Sequence, residues 1–176
     1  MAVDTFMAFV GVYPSVDAAG ADYQLVKDLH TEAGLIDAYD AAVIERRDDG
    51  KVKITKQHET PTRVGGALGA GVGLATGLVI ALFPIAGVGL AVATTAGGAV
   101  LGAVAGHASA GMSRSDLKDL GECLDADQAG LVVVGVSDMG AKIERAMRNA
   151  TKVEARQLKA DTDQIERDAK AADGRS

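Results

Sequence analysis

Aromatic mass is nearly missing from this sequence: there is no tryptophan, and 176 residues hold only three tyrosines and three phenylalanines. Rings normally supply much of a core's bulk, so the 48% of residues that are apolar must fill an interior mostly with Ala, Val, Leu and Gly. A single cysteine, Cys123, excludes an intramolecular disulfide and fits a reducing compartment. Basic residues are also short, 18 against 24 acidic ones, for a net charge of −6. Affinity for nucleic acid comes from clustered Lys and Arg, so no nucleic-acid partner is expected. The start, MAVDTFMAFVGVYPS, has no basic leader, carries Asp4 and is cut by Pro14, which favours a first strand over a secretion signal.

The sharpest absence is of charge. Between Arg63 and Arg114 there is no Asp, Glu, Lys or Arg, and His107 is the only strongly polar side chain. This divides the chain into residues 1–62, 63–112, 113–160 and 161–176. The first part runs strand, helix, strand, strand. FMAFVGVY is a strand, and Ser15 caps a helix that Gly34 stops, with Val16, Ala19, Tyr23, Val26, Leu29 and His30 at helical spacing. Two further strands follow around Asp49–Gly50, a dipeptide suited to a hairpin turn. In the third part Ser113 or Ser115 caps a helix, QAGLVVVGV is a buried strand, SDMGAKIERAMRNA is a helix with Ile143 and Met147 inward, and KVEARQLKA is the last strand. Residues 161–176 read as a charged helix or tail. Two strand–helix–strand units sharing one antiparallel sheet, helices on one face, predict an α+β ferredoxin-like sandwich.

Residues 63–112 read as a glycine-zipper helical hairpin interrupting that sandwich. Gly65, Gly69, Gly73 and Gly77 recur every fourth residue and share one helix face; Gly98, Gly102 and Gly106 do the same, with Thr94 extending the row. A turn at Pro84 sets Gly65 against Gly106, Gly69 against Gly102, Gly73 against Gly98 and Gly77 against Thr94. Small facing residues let antiparallel helices approach closely in lipid. In water such a helix is poor, at about 1 kcal/mol per Gly relative to Ala, whereas in lipid the helix satisfies every backbone amide. Each arm, Val64–Phe83 and Ile85–Gly106, meets the roughly 20 residues that a crossing needs. Lys51, Lys53, Lys56 and Arg63 before the hairpin, with Arg114 and Lys118 after it, orient both soluble halves to the cytoplasm, from an inner membrane. On this view Gly73→Leu disrupts the hairpin and Ala75→Leu is milder.

Competing chemistries fail on their residues. A dinucleotide loop needs glycine where Leu74 or Thr76 stands, with an acid some 20 residues on, and a Walker loop needs Gly-Lys-Ser/Thr. His30, His58 and His107 show no ligand spacing. Glu122 and Asp125 beside Cys123 disfavour a thiolate. No catalytic, cofactor, metal or small-molecule site is therefore expected.

FMAFVGVYPSVDAAGADYQLVKDL, AYDAAVIER with GKVKI, the glycine-rich arms and QAGLVVVGV together resemble a bacterial family of predicted membrane proteins. That family is catalogued as a domain of unknown function, with some members labelled general stress proteins. The resemblance implies a membrane hairpin between two halves of an α+β domain and supplies no catalytic residues. Members commonly approach the strand after the hairpin through a proline, and here that stretch reads DADQAG.

The expectation is thus a non-enzymatic protein whose partners are the lipid bilayer and further copies of itself, with a stress or envelope role as the natural extension. Two alternatives stand beside it. One is a small oligomeric pore, for which Thr76, Thr94, Thr95 and His107 are the polar lining on offer; the other is a soluble shell or filament with the hairpins buried inside.

Overall fold

A computed structural model describes residues 4–34, 39–58, 74–83, 110–125 and 128–160, with positions 106, 164, 167 and 171. Strand β1 (Asp4–Tyr13) leads into helix α1 (Val16–Glu32). Ser15 is extended, at φ −153° and ψ 158°, and its hydroxyl accepts from the Ala18 amide at 3.2 Å, satisfying one of the helix's open donors. Gly34 ends the turn at φ +69°, where a Cβ would be strained.

Strands β2 (Tyr39–Arg46) and β3 (Val52–His58) form the hairpin expected at Asp49–Gly50. Gly50 has φ +82°, and the Asp49 carboxylate accepts from the Lys51 amide at 3.0 Å. A bulge between Val43 and Ile44 shifts the register. Helix α2 (Leu74–Leu82) comes next, then α3 (Arg114–Glu122), capped by Ser113, whose hydroxyl accepts from the Asp116 amide at 3.0 Å. Strand β4 (Ala129–Val136), a 3-10 turn (Ser137–Met139), helix α4 (Gly140–Ala146) and strand β5 (Lys152–Ala160) complete the described elements.

The five strands make one sheet in the order β3-β2-β4-β1-β5, with every pair antiparallel. The two strand–helix–strand units are interleaved: β4 enters between β1 and β2, and β1 lies between β4 and β5. The protein is a mixed α+β structure on an antiparallel sheet.

The sheet is covered on both faces, which corrects the expectation of helices on one face. Alternate side chains point to opposite sides of a strand, and here both sets are apolar. Phe9, Tyr13, Ala41, Val43, Leu131 and Val133 pack beneath α1 and α4. Ala8, Val10, Ala42, Ile44, Val132 and Val134 pack on the other side, with Ala75, Leu78 and Val79 of α2 and Leu120 of α3. An uncovered second face would have left that whole set in water, at a cost of about 25 cal/mol per Å². Strand β4 is central and buried on both sides except at Val136, which explains why AGLVVVGV is apolar throughout rather than alternating.

Candidate functional site

The glycine-rich segment is the feature that the sequence marks out, and its described parts show how it is fastened to the sheet. Helix α2 belongs to the stretch read as the first arm, Val64–Phe83. Ala75, Leu78, Val79 and Phe83 are at most 3% exposed within the core of the second sheet face. Gly77 is buried in this helix, and Gly106 is exposed, with no described atom within 4 Å of an added Cβ. Gly65, Gly69, Gly73, Pro84, Thr94, Gly98, Gly102 and His107 lie outside the described residues, as do the contacts read for them. Ala75 is no mild control position, because a leucine there would overpack a site that is 1% exposed.

Two anchors bracket the segment. At the first, Arg46 donates from Nε to the Gly50 carbonyl at 3.2 Å and from Nη1 to the Leu124 carbonyl. Its guanidinium lies over the Phe83 ring, 5.8 Å from the centroid. A cation there sits just past the C-terminal ends of α2 and α3, where the helix dipoles favour it. Gly121 of α3 completes the contact, since a Cβ built there would be 3.5 Å from the Leu82 carbonyl oxygen. At the second anchor the Gly111 carbonyl accepts from the Lys159 amide at 3.1 Å. A side chain on Gly111 would collide with the Lys159 carbonyl oxygen, so the close approach requires glycine.

The anchors sit at opposite ends of the sheet. Arg46 adjoins the end where Tyr13 pairs with Ala129, and Lys159 pairs with Thr5. The stretch from Thr5 to Tyr13 spans about 26 Å at ~3.3 Å per residue. Phe83 and Gly111, the described ends of the segment, thus lie at opposite ends of the sheet.

Beyond the second anchor, Arg156 of β5 holds α3. Its Nε meets Asp116 at 3.2 Å, Nη2 meets Asp119 at 3.3 Å and Nη1 meets Glu154 at 3.1 Å. These pairs are partly exposed, so each contributes little alone. The hydrogen bond to Asp119 is the main reason the guanidinium's pKa is raised.

Two of the three buried polar groups among the described residues, Asp22 and His30, lie on the first sheet face; the third, Asp40 of β2, is on the α2 face. Asp22 of α1 is 0% exposed and accepts three hydrogen bonds: from the Tyr13 hydroxyl at 2.9 Å, the Asn149 amide at 2.8 Å and Asn149 Nδ2 at 2.6 Å. Burial, then the adjacent Asp22 carboxylate, raises the Tyr13 pKa, keeping the phenol protonated as a donor. His30 is 0% exposed, stacked on Tyr39 at 3.9 Å between centroids, with Nδ1 2.7 Å from the Val26 carbonyl. Asp22 and Asn149 were not singled out by the sequence, because their pairing spans 127 positions and no local pattern encodes it.

Cys123 is half-buried, its thiol donating to the Leu120 carbonyl at 2.9 Å. Its pKa is pushed up to about 11, chiefly by burial; Glu154 also raises it, and Lys152 and Arg156 oppose. The direction agrees with expectation, but the main cause is desolvation rather than Glu122 and Asp125. Among the described residues no group of His, Cys, Asp and Glu is arranged to hold a metal ion. The backbone of His58 closes β3.

Residues 66–169 match the family model described as protein of unknown function DUF1269, which is more than half of the chain. The chain belongs to the DUF1269 family. Comparison with curated proteins and with solved structures gives no match. The DUF1269 stretch contains α2, α3, β4, α4 and β5 but leaves β1, α1, β2 and β3 outside it. Since β1 separates β4 from β5, the matched stretch does not make a continuous sheet by itself. Among the described residues of this DUF1269 member, no helix is long and apolar enough to cross a membrane.

Proposed function

We propose that the chain is a non-enzymatic, membrane-associated protein that self-assembles through its glycine-rich segment, with the α+β body as a cytoplasmic base at the inner membrane. We further propose that this body is a ferredoxin-like sandwich extended by one edge strand, β3. The interleaved order β2-β4-β1-β5 supports that second statement. A glycine-zipper hairpin of residues 63–112, folded about Pro84, is the assembly element, and stress or envelope maintenance is the role it would serve.

One observation carries the functional reading. Fifty consecutive positions, Val64 to Ser113, lack Asp, Glu, Lys and Arg, and they are inserted between β3 and α3 of a body that is otherwise ordinarily charged at its surface. Among the described residues, α1 and α4 cover one face of the sheet and α2 and α3 the other, and only Ala75, Leu78, Val79, Phe83 and Met112 of the uncharged stretch are found in that core. Lipid or further copies of the chain are the surroundings in which such a stretch is stable.

The packing of α2 on the sheet favours a second reading, a soluble homo-oligomer with the glycine-rich segments buried inside it. Carbonate washing of the membrane fraction separates the two. Retention in the washed pellet is expected, and full recovery in the supernatant without detergent would discard the membrane. The native mass of the extracted particle then tests assembly, for which a strictly monomeric mass is the adverse result.

A further inference from the structure

The position of α2 conflicts with a spanning first arm. A crossing takes about 20 consecutive apolar residues, and the uncharged stretch before Pro84 reaches that length only if Leu74–Phe83 is included. In the structure those residues lie on the sheet, with Ala75, Leu78, Val79 and Phe83 buried among Ala42, Ile44, Val132 and Val134. The same ten residues cannot occupy both places.

We infer that α2 is a release helix, docked on the second sheet face away from the membrane and drawn off it when the glycine-rich segment enters lipid. This rests on the membrane reading above. Three observations support it. First, α2 has no charged residue and only Thr76 as a polar side chain; a helix apolar all round belongs in a core or in a bilayer, and this one suits either. Second, its docking contacts are non-directional: Ala75, Leu78 and Val79 exchange one apolar neighbour for another on moving to lipid. Third, the specific contacts described for α2 lie at one end, where Arg46 covers Phe83 and Gly121 meets Leu82. Arg46 also holds the Gly50 and Leu124 carbonyls, so it stays with the body when Phe83 leaves. In water the apolar strand face keeps α2 docked; in lipid the helix finds an equivalent surrounding, and the transfer of the rest of the uncharged segment has to offset the exposure of the strand face it leaves.

A crosslink at the docked end tests the release. Leu82→Cys with Gly121→Cys in a Cys123→Ser background places two thiols where an added Cβ on residue 121 lies 3.5 Å from the Leu82 carbonyl oxygen and 4.0 Å from its Cδ2. The purified full chain is oxidised or reduced, checked for unchanged circular dichroism, and floated with phosphatidylethanolamine–phosphatidylglycerol vesicles. The reduced form should float as the wild type does, and the oxidised form about tenfold less, with recovery on reduction. Equal flotation of both forms overturns the release while leaving membrane association intact. A wild type that does not float overturns the membrane reading, and the release with it. Arg46→Gln is the second variant: it should reach half-maximal flotation at several-fold less lipid, and an unchanged lipid requirement counts against the release.

Discussion

On one side of the sheet, the 17-residue α1 carries a buried carboxylate and a buried imidazole in the same stripe as Ala19 and Val26. On the other, α2 and α3, nine residues each, meet a core of Ala, Val, Leu, Ile, Met and Phe. The α1 side is tied by directional bonds: Asp22 joins α1 to β1 through Tyr13 and to the turn before β5 through Asn149. Such a network admits one geometry, because a misplaced partner leaves a buried polar group unsatisfied. The described contacts on the α2 side are mainly apolar, with two arginines at its rim, Arg46 and Arg156, and one buried carboxylate, Asp40 of β2, on the same face. Apolar contacts tolerate displacement that hydrogen bonds do not. The α1 side therefore reads as the permanent half of the body, and the α2 side as the half that can change partners.

The strongest way to break this contrast is Asp22→Ala. It leaves the Tyr13 hydroxyl and both Asn149 donors without their acceptor, and should cost about 3–5 kcal/mol in urea denaturation. A loss below ~1 kcal/mol would show that the α1 side is not locked by polar bonds. Leu78→Ala on the other face removes a side chain that is 0% exposed, and about 2–4 kcal/mol is expected. In that variant the α1 side should keep its amide hydrogen-exchange protection while α2 loses its own. Uniform loss across both faces would erase the distinction.

A smaller effect comes from pH at Cys123, at the margin of the α2 side. Its folded pKa, about 11, lies above the ordinary value of 9.0. The folded thiol thus keeps its proton over a range in which the unfolded one has lost it. This contribution is fully present below about pH 9 and is lost as pH rises through 11. Cys123→Ser should flatten that part of the stability profile, and an identical alkaline slope in both proteins would refute the assignment. Folded wild type should also alkylate slowly at pH 8 and quickly in urea. The smallest effect is a gain: Gly121→Ala adds a methyl in ordinary contact with Leu82 and raises helix propensity, for about 0.5–1 kcal/mol of stabilisation. Destabilisation instead would mean that α2 and α3 are packed more tightly at that point than the 3.5 Å approach allows.

Legibility in the sequence followed the range of the interaction. Ser15, Gly34, Gly50 and Ser113 act within a few residues of themselves, and each stands where capping and turn chemistry place it. Strands β1, β4 and β5 were readable from their composition, and β2 with β3 from the dipeptide between them. Asp22 was not readable, because in one dimension it is only another acidic residue on an amphipathic helix. Gly111 and Gly121 were equally silent: their neighbours are Lys159 and Leu82, remote in the chain. Helix α2 was placed in an uninterrupted apolar arm for a physical reason, since a sheet face and a lipid tail present nearly the same surface to Leu78 and Val79.

By itself, then, the sequence determined the element order, the helix caps, the hairpin turn and an uncharged insertion, all of which depend on local dihedral preferences and on hydrophobicity. Tertiary structure alone decided that the strands interleave, that both faces of the sheet are covered, that Asp22 finds Tyr13 and Asn149, and that α2 rests on β2 and β4. Hydrophobicity says that a segment leaves water but not where it goes. That destination is set by the surfaces the rest of the chain leaves open, and these exist only once it has folded.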